Sequence, residues 1–225
     1  MERTLDVQER RILGALMEKS LSESSAYPMT VNAIVAACNQ KSNRDPVMEL
    51  DEEVVWATLN RLRERELVAM VLPGQGARTE RFKHRAETYF GWQRRQRAVM
   101  TELMLRGPQS FGELRTRCSR MVPFDDIEAI STTVESLSAL DPPMVAALPR
   151  TPGRSAVRYT HLLAPESEPP AVSVDEATAA PTVVLPGAVP TSDTRITELE
   201  GQVTELRDGL ADLRQRLETL ESQLL

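Results

Sequence analysis

The order of apolar periodicities in this 225-residue chain predicts a mainly α fold with small β-hairpin wings and a separate helix at the C-terminus. Three observations carry the prediction. Three helical patterns followed by a hairpin pattern occur twice, a proline-rich stretch without aromatics comes next, and a leucine repeat of 3.5 residues closes the chain.

From Leu5 the apolar positions Ile12, Leu13, Leu16 and Met17 recur at helical spacing and predict a first helix over residues 6–21. Thr30 is placed to cap a short second helix whose inward face is Val31, Ile34, Val35 and Cys38. After a long polar turn, Asp51 caps a third helix with Val55, Leu59 and Leu62 inward. Residues 67–72 read as a strand, residues 73–76 (Pro-Gly-Gln-Gly) turn it, and residues 79–84 return antiparallel. Three helices and a hairpin make the order of a winged-helix domain, here residues 5–90.

The order repeats over residues 91–163. Val99, Met100, Leu103 and Met104 form the inward stripe of a helix over residues 97–106, which Gly107-Pro108 stops. Ser110 caps a short helix with Leu114 and Cys118, and Ile127, Ile130, Val134 and Leu137 line a third over residues 125–140. Residues 144–148 and 156–160 bracket a Pro/Gly turn. Thr30 aligns with Ser110, Ile34 with Leu114, Cys38 with Cys118 and His84 with His161, so two tandem winged-helix domains are expected.

Residues 164–190 contain six Pro and no aromatic, too little apolar surface to fold, and are expected to form a disordered, extended linker. Residues 191–225 carry an unbroken heptad register: Ile196, Val203, Leu210, Leu217 and Leu224 at a, Leu199, Leu206, Leu213 and Leu220 at d. β-Branched residues at the first two a positions with Leu at every d favour a parallel two-stranded coiled coil, and Arg195–Glu200 and Arg216–Glu221 are attractive g-to-e′ pairs. A homodimer is the expectation; a single amphipathic helix folded back on the body is the alternative.

The net charge of −6 is unevenly spread. Residues 1–163 hold 23 Lys/Arg against 21 Asp/Glu, residues 164–190 four acids and no base, and residues 191–225 eight acids and four Arg. The near-neutral body permits a local nucleic-acid patch without a global electrostatic argument for one. Cys38 and Cys118 lie 80 residues apart with only His84 and His161 as further soft ligands, a spacing that argues against a metal site. No cofactor motif is present. The start lacks the apolar core of a signal peptide and no apolar run is long enough to span a bilayer, so a cytoplasmic protein away from the membrane is expected. GxSxG, P-loop, GxGxxG and HExxH patterns are lacking, and both histidines close equivalent hairpins, which points to packing rather than to catalysis.

The residues suited to a ligand are polar and basic. The turn Asn39, Gln40, Lys41, Ser42, Asn43, Arg44, Asp45, Pro46 offers donors for phosphates or base edges, Lys41 and Arg44 above all. The same residues can equally shape a long turn through side-chain-to-backbone bonds. Asn60, Arg61 and Arg65 on the third helix, Arg78, Arg81 and Lys83 on the wing, and Arg94 beyond it form a phosphate-binding stripe if they converge in space. Asp51, Glu52 and Glu53 oppose that reading, and the third helix of the second repeat carries Asp125, Asp126, Glu128 and Glu135 with no Lys or Arg.

Several of these segments resemble the YceH-like family of bacterial proteins: Tyr27-Pro28, the run from Cys38 to Met48, Leu59-Asn60-Arg61-Leu62-Arg63, Leu105-Arg106-Gly107-Pro108-Gln109 and Gly112-Glu113-Leu114-Arg115. The resemblance covers residues 5–163 and implies two tandem winged-helix domains; it supplies no catalytic residues. The linker and the leucine repeat lie outside it and read as an added C-terminal element. The leading expectation is a DNA-binding, transcription-regulator-like dimer with double-stranded DNA as partner. The rival is a protein-interaction scaffold that binds an unidentified protein and does not read DNA.

Overall fold

Local capping chemistry sets where the helices begin. In the computed structural model, which describes residues 3–72, 79–149 and 156–165, Asp6 and Glu9 form a reciprocal capping box at the start of α1 (Val7–Ser22). Two N–H groups that a first turn leaves unpaired are thereby satisfied. Thr30 caps α2 (Val31–Cys38) and Asp51 caps α3 (Glu52–Glu64), as their side chains predict. Strands β1 (Val68–Val71) and β2 (Arg81–His84) pair antiparallel with Val68 opposite His84. The five-residue helix α4 (Ala86–Phe90) then ends at Gly91, whose φ of 72° suits glycine. Next come α5 (Arg94–Arg106), α6 (Phe111–Cys118) capped by Ser110, and α7 (Ile127–Ser138) capped by Asp126. The hairpin of β3 (Val145–Ala147) and β4 (Tyr159–His161) completes the described chain. Arg78, residues 166–190 of the expected linker and the entire leucine repeat lie outside the described residues.

The architecture is therefore mainly helical with two small antiparallel hairpins, and the order of three helices and a hairpin occurs twice. The repetition reaches single residues. Met29, just before the Thr30 cap, bridges Phe82 on the returning strand, and Gln109, just before the Ser110 cap, bridges Tyr159. Val68 faces His84 as Val145 faces His161.

The two first helices of the repeats, α1 and α5, pack against each other and are buried on every side, α1 from Glu9 to Glu18 and α5 from Ala98 to Leu105. Gly14 makes this possible: a Cβ there would lie 2.9 Å from Leu105 Cδ2. One apolar core consequently runs from Leu5 to Leu163, and the Leu5 N–H donates to the Leu163 carbonyl at 2.7 Å. Among the described residues both copies sit within one compact unit.

Three details differ from the periodicity. Ile127, expected inward, is 52% exposed because it occupies the first turn of α7 at the rim of the core. Helix α5 begins three residues earlier than expected, where Gln96 Oε1 accepts from the Gln93 N–H. Helix α4 is too short to show a period. No described helix is long and apolar enough to cross a membrane.

Candidate nucleic-acid interface

The polar turn after α2 is a structural latch. Asn39 closes α2 and exchanges two bonds with Leu50, its Nδ2 donating to the Leu50 carbonyl at 2.7 Å and its Oδ1 accepting from the Leu50 N–H at 2.8 Å. Asn43 adopts φ 59° and accepts from Arg106 Nη1, while the Asp45 N–H donates to the Leu105 carbonyl. The Pro46 carbonyl accepts from Arg11, whose pKa burial pulls down to about 10. The turn thus ties α1 and α5 together. Arg44, assigned to nucleic acid on the sequence, is not available for it. Its side chain is fully buried, donates to the Ala37 and Asn43 carbonyls, and pairs with Glu18 at 2.5 Å. Glu18 also meets Arg120 at 2.6 Å, and Arg120 meets Glu102 at the same distance. Two acids and two bases compensate one another at the junction of the repeats: Glu18, Glu102 and Arg44 are buried and so need partners, and Arg120 reaches in from a partly exposed position. Of the remaining turn side chains, Lys41 and Ser42 are exposed and Gln40 is half-buried.

The expected stripe on α3 is likewise partly spent. Arg61 pairs with Asp6 at 2.8 Å, and Arg65 pairs with Glu9 at 2.9 Å and donates to the Thr4 carbonyl. Both arginines hold the start of α1 rather than projecting as free cations. Asn60 accepts from Arg63 at 2.9 Å. Glu52 and Glu80, with Thr30, Val31, Asn32 and Thr79, line a small groove between the start of α3 and the hairpin, so that approach is acidic.

The wing keeps its cations. Along β2, Arg81 and Lys83 face outward while Phe82 and His84 face in. Arg81 donates to the Pro28 carbonyl at 2.8 Å. Lys83 and Arg94 line a common cleft with Arg85 and Arg97, beside Tyr27 and Ser20. Of the stripe read from the sequence, the fold brings Lys83 and Arg94 together and sets Arg61 and Arg65 apart from them. The sequence carried Arg85 and Arg97 as neighbours of these two; what it did not carry is that the end of α1 supplies the opposite wall. His84 at the back of the cleft is buried and its pKa falls to about 4, so it is neutral near pH 7. Its Nε2 lies 2.8 Å from Ser20 Oγ. Among the described residues no group of three or more His, Cys, Asp or Glu side chains is placed to hold a metal ion.

Residues 5–154 match the family described as "Protein of unknown function, DUF480". The chain belongs to the DUF480 family. Relatives named "UPF0502 protein" agree along nearly the whole length. Those of Pelobacter propionicus and Geobacter sulfurreducens are 40% and 41% identical, each over 99% of both chains. That of Azoarcus sp. is 41% identical over 97% of this chain and 93% of its own. The YceH-like resemblance points to this same family. The DUF480 match stops at residue 154, short of the C-terminal segment, whereas the alignments with the Pelobacter and Geobacter relatives run on through it.

Proposed function

We propose that this DUF480 protein is a non-enzymatic, cytoplasmic protein of two tandem winged-helix domains that holds double-stranded DNA by its phosphate backbone. The observation that carries the reading is a run of four cations, Arg81, Lys83, Arg85 and Arg94, none ion-paired with a described residue. They follow one another along β2 and into the start of α5. Backbone contacts of this kind position a protein on the duplex without reading sequence. With Arg61 and Arg65 engaged by α1, base reading through α3 has a minor part. Titrating the full chain with random-sequence duplex at rising salt tests this. Four phosphate contacts per chain predict a log–log slope of roughly −3 to −4, and absence of binding at roughly 50 mM salt rejects the reading.

The leucine repeat supports a homodimer, since a helix of this length needs a partner for its apolar seam. Sedimentation of the full chain should show a dimer that Leu206→Asp with Leu213→Asp converts to a monomer; a monomeric wild type rejects it.

A second reading, a protein-interaction scaffold, draws on Trp56. This residue is 39% exposed on α3, a helix that opens with Glu52 and Glu53. That surface is better suited to a protein partner than to a groove of DNA.

A further inference from the structure

Between the end of α1, β2, α4 and the start of α5 lies a cleft of about 670 Å³, within the range of small-molecule sites. Four cations line it, Lys83, Arg85, Arg94 and Arg97, against one acid, Glu87. Glu87 is taken by Arg97, yet the buried Nε of Arg97 has no partner. Lys83, Arg85 and Arg94 have no ion pair with a described residue, which leaves an excess of three positive charges.

Neutral donors add to this. The Tyr27 hydroxyl accepts from the His84 N–H at 2.7 Å, and its own proton, still free to donate, has no acceptor among the described residues. Ser20 gives its proton to the Met17 carbonyl, which makes His84 Nε2 the donor in their contact and fixes the neutral Nε2–H form. His84 Nδ1 correspondingly accepts from the Ala86 N–H. The wall behind the cations is therefore neutral and fixed, while Lys83, Arg85 and Arg94 have no ion pair among the described residues. A ligand that suits these groups carries several negative charges and many lone pairs on adjacent atoms.

We propose that the cleft binds a small di- or triphosphate anion, and that this anion controls DNA binding by occupying the cations the duplex would use. The site stands on its own geometry; the control rests on the DNA reading above. Lys83, Arg85 and Arg94 belong to both surfaces, so a phosphate group in the cleft and a backbone phosphate on the wing exclude each other.

The test uses the full chain and inorganic pyrophosphate at constant ionic strength, with sulfate as the comparison anion. Calorimetry should give saturable binding of one pyrophosphate per chain, tighter than sulfate. Lys83→Gln and Arg94→Gln should each weaken it by about tenfold or more. Arg115→Gln removes equal charge from an exposed position on α6 and should leave it unchanged. In the second arm pyrophosphate should displace labelled duplex DNA with the same apparent affinity. Absence of saturable pyrophosphate binding, or equal weakening by Arg115→Gln, overturns the site even if DNA still binds. Pyrophosphate binding without displacement of a bound duplex overturns the control. Pyrophosphate binding by a chain that binds no DNA upholds the site and removes the DNA reading instead.

Discussion

Two clusters of charge in this molecule have opposite fates. At the junction of the repeats Arg44, Glu18, Arg120 and Glu102 alternate in sign along a chain of ion pairs whose members, apart from the partly exposed Arg120, are buried. Behind the first hairpin Lys83, Arg85 and Arg94 share a cleft with a single acid that Arg97 already occupies. A buried ion must be paired, because its desolvation costs several kcal/mol, about what removing either partner exposes. An accessible cation has no such demand, so its lack of a partner costs the fold little and leaves it free for a ligand. Charges in the first cluster hold structure, and those in the second are open to function.

The sharpest way to break this contrast is to remove one cation from each cluster. Arg44→Ala leaves Glu18 buried beside the two remaining members and should destabilise the fold by about 3–5 kcal/mol in chemical denaturation. Lys83→Ala should change stability by no more than about 0.5 kcal/mol. Comparable losses from the two would erase the distinction.

Acid should reveal the neutral wall of the cleft. Burial holds His84 at about 4, against an ordinary value of 6.5, with Glu87 pulling the other way and Arg97 adding to the lowering. Above pH 6.5 both folded and unfolded chains carry it neutral. As pH falls from 6.5 to 4 only the unfolded chain takes the proton, so stability declines, and below 4 the loss levels off. The expected loss is about 2–3 kcal/mol. His161, also lowered to about 4 by burial, acts in the same direction. Unfolding curves at pH 7, 5 and 4 should therefore steepen their decline in wild type relative to His84→Gln; identical slopes would contradict the burial of a neutral imidazole.

A smaller effect separates the two faces of the polar turn. Asn39→Ala removes both bonds to Leu50 and should cost about 1 kcal/mol, whereas exposed Lys41→Ala should cost almost nothing. Equal losses in thermal melts would assign Lys41 a structural partner.

What was legible in the sequence was local. Thr30, Asp51 and Ser110 cap the helices that their side chains predict, since capping acts over three residues. The repeat was legible through the matched caps and paired histidines. The roles of the arginines were not, because their partners are remote: Arg44 meets Glu18 across 26 residues and Arg65 meets Glu9 across 56. No helical or strand period links such pairs. A weaker signal was present, since Glu18 shares a helical face with Gly14, Ala15 and Leu21, and Glu102 shares one with Ala98, Val99 and Leu105. An acid so placed needs a base within reach, which the buried Arg44 and the partly exposed Arg120 supply. The cleft was only half legible for the same reason: Lys83 and Arg94 are close in sequence, but the wall formed by Ser20 and Tyr27 comes from the other side of the repeat.

On the proposed reading, cleft cations without an ion pair among the described residues serve binding, and the paired charges at the junction serve stability. The most direct measurement combines melting and duplex affinity for the triple variant Lys83→Gln, Arg85→Gln, Arg94→Gln. Stability should stay within about 0.5 kcal/mol of wild type. Affinity should fall sharply, with a salt slope shallower by roughly 2.7 units for three lost phosphate contacts. Unchanged duplex affinity together with a destabilised fold would overturn this division of roles.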